Sequence, residues 1–277
     1  MFELPELIVL SRQIGQHLAG KRVASASYGN SAHKFAWYNH PQPEFAALAA
    51  GKTIGAHPIV RGRWMLVPLE PGYHLVLGEF GGRLLLHPPG APLPPKYHLH
   101  LGFEDGAALT LTIQMWGAME LYPQGEEQQR MYIKDMRPVP LDPAFTPDYF
   151  AALTADLAAR GAYTAKALLT QEQLIPGLGN SIAQEILFKA GLHPKHPLRT
   201  LTPPQVRRLY EQILASVEEI AAQGGRSDEV DLFGNPGGYQ RLMDSTAPGK
   251  PCPVCGGRVE KMQYLGGACY FCPACQE

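Results

Sequence analysis

The sequence predicts an α+β multidomain protein: an N-terminal antiparallel β-sandwich with a leading helix, then a helical domain, then a small cysteine-bearing tail. Three observations carry this expectation. Residues 21–122 form short apolar runs broken by Gly and Pro, residues 144–225 show helical periodicity with caps and stops, and all five cysteines fall between 252 and 275. A chain of 277 residues accommodates two domains and an appendage. The expected boundaries are 1–136 for the sandwich, 144–225 for the helices, 226–250 for a Gly-rich connector and 251–277 for the tail.

The leading helix is marked by Pro5 in its first turn, by Leu7, Leu10, Ile14 and Leu18 at helical spacing, and by Gly20 as a stop. Strands are expected at Arg22–Tyr28, Trp64–Leu69, Leu84–His87, Leu99–Phe103 and Leu109–Ile113, with spacing that favours an antiparallel arrangement. The run Pro88–Pro95 reads as a stiff loop. Residues 30–39 mix donors with Phe35 and Trp37, and the favoured reading is an amphipathic strand with both rings on one face. Residues 137–143 are proline-rich and read as a linker. Helices follow at Pro147–Arg160, Ala165–Gln173, Ser181–Ala190 and Pro203–Ala222. Thr146 and Thr202 stand as N-caps before prolines, and Gly161, Gly191 and Gly224 stand as stops.

Hydrophobic residues make up 45% and charged residues 18%, as in a folded globular chain. No apolar run reaches membrane-spanning length, and the N-terminus carries no basic region with a cleavage site, so no membrane partner or secretory signal is expected. Cysteines confined to one cluster fit a reducing cytoplasm. Lys and Arg number 24 against 25 acidic residues, for a net charge of −1. Any binding to nucleic acid therefore depends on local clustering, with a weak non-specific electrostatic component.

Cys252-Pro-Val-Cys255 and Cys272-Pro-Ala-Cys275 form two pairs, each able to present two thiolates from one tight turn. Two such knuckles complete a tetrahedral shell for one structural Zn2+, with no position left open for catalysis. Cys269 lies outside the pattern and is expected to pack as a thiol. The turn Ile175-Pro176-Gly177-Leu178-Gly179-Asn180 precedes a helix, so Gly179 and Asn180 sit where backbone N–H groups attract an anion. Lys166, one helix earlier, strengthens a phosphate-binding reading. The histidines at 74, 87, 98 and 100 show no metal-ligand spacing.

Glu3-Leu4-Pro5-Glu6, the stretch from Leu168 through Asn180 to Phe188, and the tail from Phe271 to Gln276 resemble the formamidopyrimidine-DNA glycosylase/endonuclease VIII family of base-excision repair. The resemblance spans the whole chain. It implies a β-sandwich with a leading helix, a helix–two-turn–helix domain, a zinc-finger β-hairpin, and damaged double-stranded DNA held between the two domains by a monomer in the cytoplasm or on the nucleoid. It further implies that Glu3 is the acid/base at the sugar, with Glu6 more simply a favourable charge in a first helical turn.

The departures fall on the working parts. The family's nucleophile is an N-terminal proline amine, and position 2 here is Phe2, which is expected to leave Met1 in place. The Met1 amine is the remaining candidate nucleophile, displaced by one residue. Arg63 stands for a phosphate-facing lysine, Glu79 for an intercalating methionine, Gln114 for a void-filling arginine and Trp116 for a wedging phenylalanine. Gly267 stands where the family's finger carries a phosphate-gripping arginine. These residues leave three readings: a protein that recognises modified bases or abasic sites with the proline Schiff-base chemistry lost or altered, an active glycosylase/AP lyase using Met1 with Glu3, or a zinc-stapled protein-interaction scaffold.

Overall fold

Pro5 in the first turn and apolar residues at Leu7, Leu10 and Ile14 make the opening segment a helix with one buried face, α1 (Leu4–His17). The structure is a computed structural model describing residues 1–277. It divides into two compact units, Met1–Met136 with Ala221–Gly238, and Arg137–Ile220 with Tyr239–Glu277.

The first unit is a sandwich. After α1 come β1 (Val23–Tyr28), β2 (Ala36–Trp37), α2 (Gln42–Ala49), β3 (Thr53–Ile54), β4 (Ile59–Arg61), β5 (Trp64–Glu70) and β6 (Tyr73–Gly78). Then follow β7 (Gly82–His87), β8 (Leu99–Phe103), β9 (Ala108–Ile113), β10 (Gly117–Pro123) and a short helix, α3 (Met131–Lys134). One sheet has the order β1-β8-β9-β7, and the other β2-β10-β6-β5-β3 with β4 also on β5. Every pairing is antiparallel except β2 with β10, a two-residue parallel contact.

Alternation along β8 and β9 turns Leu99, Leu101, Phe103, Leu109 and Leu111 inward, against Met65, Val67, Leu75, Leu77 and Met119 of the facing sheet. Trp64, Leu66 and Val76 point to the opposite face of that sheet and pack with Ala118 and Ile133. Strands β5 and β6 are thus buried on both faces. The five predicted strands appear with ends shifted by at most two residues, whereas β6, β10 and α2 had no counterpart in the expectation. Residues 30–39 differ from it as well. Only Ala36 and Trp37 join the sheet, and Phe35 and Trp37 remain exposed.

The second unit contains α4 (Pro147–Ala159), α5 (Ala165–Thr170), α6 (Asn180–Ala190), most of α7 (Pro203–Ala222) and the hairpin β11 (Glu260–Tyr264)–β12 (Gly267–Phe271). Thr146 caps α4 by accepting the Tyr149 N–H at 3.1 Å, and Gly191 ends α6 in the left-handed region. Helix α5 stops at Thr170, short of the expected Gln173, and Glu172 and Gln173 both take positive φ values of 49°. Phe188 of α6 packs with Met243, Cys252, Val259 and Tyr270, giving the small tail an apolar anchor. No helix is long and apolar enough to cross a membrane.

The stretch 226–250 is not the spacer its glycines suggested. Its first part, to Gly238, folds into the sandwich unit, and the rest joins the helical unit. Leu232 enters the sandwich core and its N–H donates to Gln13. Glu185 accepts from the Tyr239 hydroxyl at 2.8 Å and from the Met243 N–H at 2.7 Å. Glycine serves tight turns here: Gly225 has φ 99°, and a Cβ on Gly237 would lie 2.2 Å from its carbonyl oxygen.

Candidate functional site

The residues Glu3-Leu4-Pro5-Glu6 form a capping box with a carboxylate at the N-cap. The Glu3 N–H donates to Glu6 Oε2 at 3.0 Å while the Glu3 side chain accepts from the Glu6 N–H. The same Glu6 carboxylate meets Arg226, which donates from Nε to Oε1 and from Nη2 to Oε2, both at 2.9 Å. Arg226 is 2% exposed, and its Nη2 also reaches the Met1 carbonyl at 3.0 Å. Its guanidinium lies 3.7 Å from Glu3 and 3.7 Å from Glu229. Burial alone would lower the basicity of this guanidinium, but the charges of Glu6, Glu3 and Glu229 outweigh it and push the pKa up. The Met1 ammonium completes the cluster by donating to Glu229 Oε1 at 2.8 Å.

Phe2, between Met1 and Glu3 in the chain, belongs to the sandwich core. It is 1% exposed, its ring meets Phe80 edge-on at 5.1 Å, and its N–H donates to the Phe80 carbonyl at 3.2 Å. The nitrogen at position 2 is therefore a hydrogen-bonded amide, whose lone pair is delocalised and cannot attack carbon. Met1 and Glu3, the two expected catalytic residues, do come together. Arg226 and Glu229 join them, and no local sequence signal pointed to either. Arg63 lies nearby, with Nη1 3.9 Å from Met1 Sδ and 3.2 Å from Glu79 Oε2. Trp116 lines a cavity of about 600 Å3 in the same unit, together with Trp37, Trp64 and Glu79.

In the second unit Asn180 is the first residue of α6 and is exposed, with Gly179 as its buried N-cap. Lys166 was expected beside a phosphate, but it is 1% exposed and its Nζ donates to the Tyr264 carbonyl at 2.5 Å. It ties α5 to the turn of the β11–β12 hairpin, and Thr164 adds a 3.1 Å hydroxyl contact to Tyr264. Gly267, across that turn, faces Asn180: a Cβ there would lie 3.2 Å from the amide nitrogen.

Cys252, Cys255, Cys272 and Cys275 converge, their sulfurs all within 4.8 Å of one another. The Cys252–Cys275 and Cys255–Cys272 separations are 3.7 and 3.5 Å, close to the ~3.8 Å edge of a tetrahedron with ~2.3 Å metal–sulfur bonds. Backbone N–H groups of Val254 and Gly257 point at the Cys252 and Cys255 sulfurs at 3.5 and 3.4 Å. Such a donor set can hold a metal. Cys269 is buried outside it.

Residues 1–119 match the family model described as formamidopyrimidine-DNA glycosylase N-terminal domain, and residues 136–230 match the formamidopyrimidine-DNA glycosylase H2TH domain. The formamidopyrimidine-DNA glycosylase of Chloroflexus aggregans is 34% identical over 286 residues, covering 100% of this chain and 98% of its own. That of Geobacillus kaustophilus is 30% identical over 285 residues, covering 100% of both. Among solved structures, the Lactococcus lactis Fpg in complex with DNA containing an abasic site superposes with a TM-score of 0.87 at 23% identity over 99% of each chain. MutM in complex with DNA containing carbocyclic 8-oxo-G gives 0.86, also at 23% identity over 99% of each chain.

Proposed function

Because this chain belongs to the formamidopyrimidine-DNA glycosylase family, we propose that it recognises modified bases or abasic sites in double-stranded DNA, with the family's proline Schiff-base chemistry lost or altered. The observation that carries this reading is Phe2. Its nitrogen is an amide bonded to the Phe80 carbonyl, and its ring packs edge-on against Phe80 in the sandwich core. The competing reading, an active glycosylase/AP lyase using Met1 with Glu3, draws support from their shared cluster. Against it, the Met1 nitrogen is already engaged, donating to Glu229 Oε1 at 2.8 Å.

On this reading Arg63, Trp116, Gly179 and Asn180 contact the DNA, the last two through the N-terminus of α6. Lys166 acts as a positioning residue that holds the hairpin turn beside Asn180. The four cysteines bind one structural Zn2+, which supplies folding energy to a tail with a small core. The protein acts as a monomer in a reducing cytoplasm, and its DNA affinity falls gently with salt.

One gel experiment tests the core of the proposal. Duplex DNA carrying an abasic site should be bound and shifted in preference to intact duplex, yet remain uncleaved over hours with protein in excess. Strand cleavage dependent on Glu3 would overturn it in favour of the lyase reading. Absence of binding to either duplex would favour the scaffold reading.

A further inference from the structure

We propose that the sandwich unit carries a separate base-binding site: the cavity lined by Trp37, Trp64, Trp116, Glu79, Glu120 and Arg130 takes an unstacked nucleobase with a donor edge, guanine foremost. The proposal rests on the DNA-binding reading above. All three tryptophans of the chain line this one cavity. Its volume of about 600 Å3 falls within the ~300–1,000 Å3 range of small-ligand sites.

The fold assembles it from five segments. The parallel pairing of Gly117 with Ala36 and Ala118 with Trp37 sets Trp37 beside the start of β10, next to Trp116. Trp64 lies flat on β6 because Gly78 has no side chain; a Cβ there would be 1.8 Å from the indole. Arg130 then stacks its guanidinium 3.9 Å above the Trp64 ring. Arg130 is fixed in turn by Glu120, through contacts of 2.5 Å from Nε and 3.1 Å from Nη2, while the Tyr122 hydroxyl donates to the same carboxylate at 3.2 Å. At the rim Trp37 is 45% and Tyr132 63% exposed.

Glu79 supplies the polar edge. It holds φ 50°, a left-handed conformation unfavourable for a glutamate, and its N–H donates to the Arg63 carbonyl at 3.1 Å. Arg63 Nη1 engages Oε2 at 3.2 Å, which leaves Oε1 as an acceptor toward the cavity. Aromatic faces and a planar guanidinium stack any base. A carboxylate adds a preference for N–H donors. Guanine offers two adjacent ones, N1–H and N2–H2, whereas thymine offers one. An apolar peptide side chain would fit the rings but would leave Glu79 Oε1 desolvated without a donor.

Tryptophan fluorescence reports on this site alone. Two duplexes carry the same abasic-site analogue, one with guanine opposite and one with a second abasic analogue opposite. The guanine duplex should quench the fluorescence and bind about 5- to 150-fold more tightly by anisotropy, the range for one base–aromatic stack. Tyr132→Ala should shrink that gap without removing a reporter, and Glu79→Gln should erase a preference for guanine over thymine. Equal affinity and equal fluorescence for two duplexes that both bind would overturn the site while leaving the DNA-binding reading intact. If neither duplex binds, that reading fails, and the trinucleotide d(TGT) decides the site: quenching supports it and silence overturns it. Quenching insensitive to both variants would overturn it as well.

Discussion

Two charged sites in the sandwich unit use the same residue types to opposite ends. At the N-terminus, Arg226 sits among Glu3, Glu6 and Glu229, and the Met1 ammonium caps the last of these, so each charge is answered within the chain. In the aromatic cavity, Arg130 answers Glu120, but its guanidinium face lies on an indole, Glu79 keeps an oxygen for another partner, and Trp37 and Tyr132 stay uncovered. The first arrangement is what holds a helix start in place. The second is what binds a flat ligand. On the proposed reading, the chain has turned its relatives' reactive corner into structure and offers recognition elsewhere.

The comparison breaks if the two sites answer to mutation alike. Arg226→Met should destabilise the protein by about 3–5 kcal/mol in urea denaturation, because it strands buried carboxylates. Adding Glu6→Gln should return part of that loss, and strict additivity would show that Arg226 and Glu6 do not act as a pair. Tyr132→Ala, on the exposed rim, should change stability by no more than about 0.5 kcal/mol while weakening DNA binding. A large stability loss there would make the cavity a structural core. The smallest effect is expected in the second unit. Gly267→Arg should steepen the salt dependence of DNA affinity by about one unit of log–log slope, with the Asn180 amide yielding slightly to the new Cβ.

Much of the fold was legible in the sequence because its signals are local. Pro5 with Leu7, Leu10 and Ile14 marks α1, Thr146-Pro147 marks the start of α4, and the cysteine spacing marks the tail. Strand β6 escaped notice because Tyr73–Gly78 is covered on both faces and lacks alternation. The N-terminal cluster was half legible. Met1 and Glu3 stood out, but Arg226 lies 220 residues from Glu6 in a glycine-rich stretch that carries no periodicity. The surroundings of Lys166 were not legible for a related reason: its partner, the Tyr264 carbonyl, is a backbone group 98 residues away, and residue type says nothing about it.

The central claim, that the N-terminal cluster no longer forms a covalent bond to DNA, is tested most directly by borohydride trapping. Wild-type protein with zinc bound is mixed with abasic-site DNA at concentrations where anisotropy reports a complex, reduced with borohydride, and digested for peptide mapping. The account predicts bound DNA and no crosslinked species. A reduced adduct mapping to the Met1 amine would contradict it.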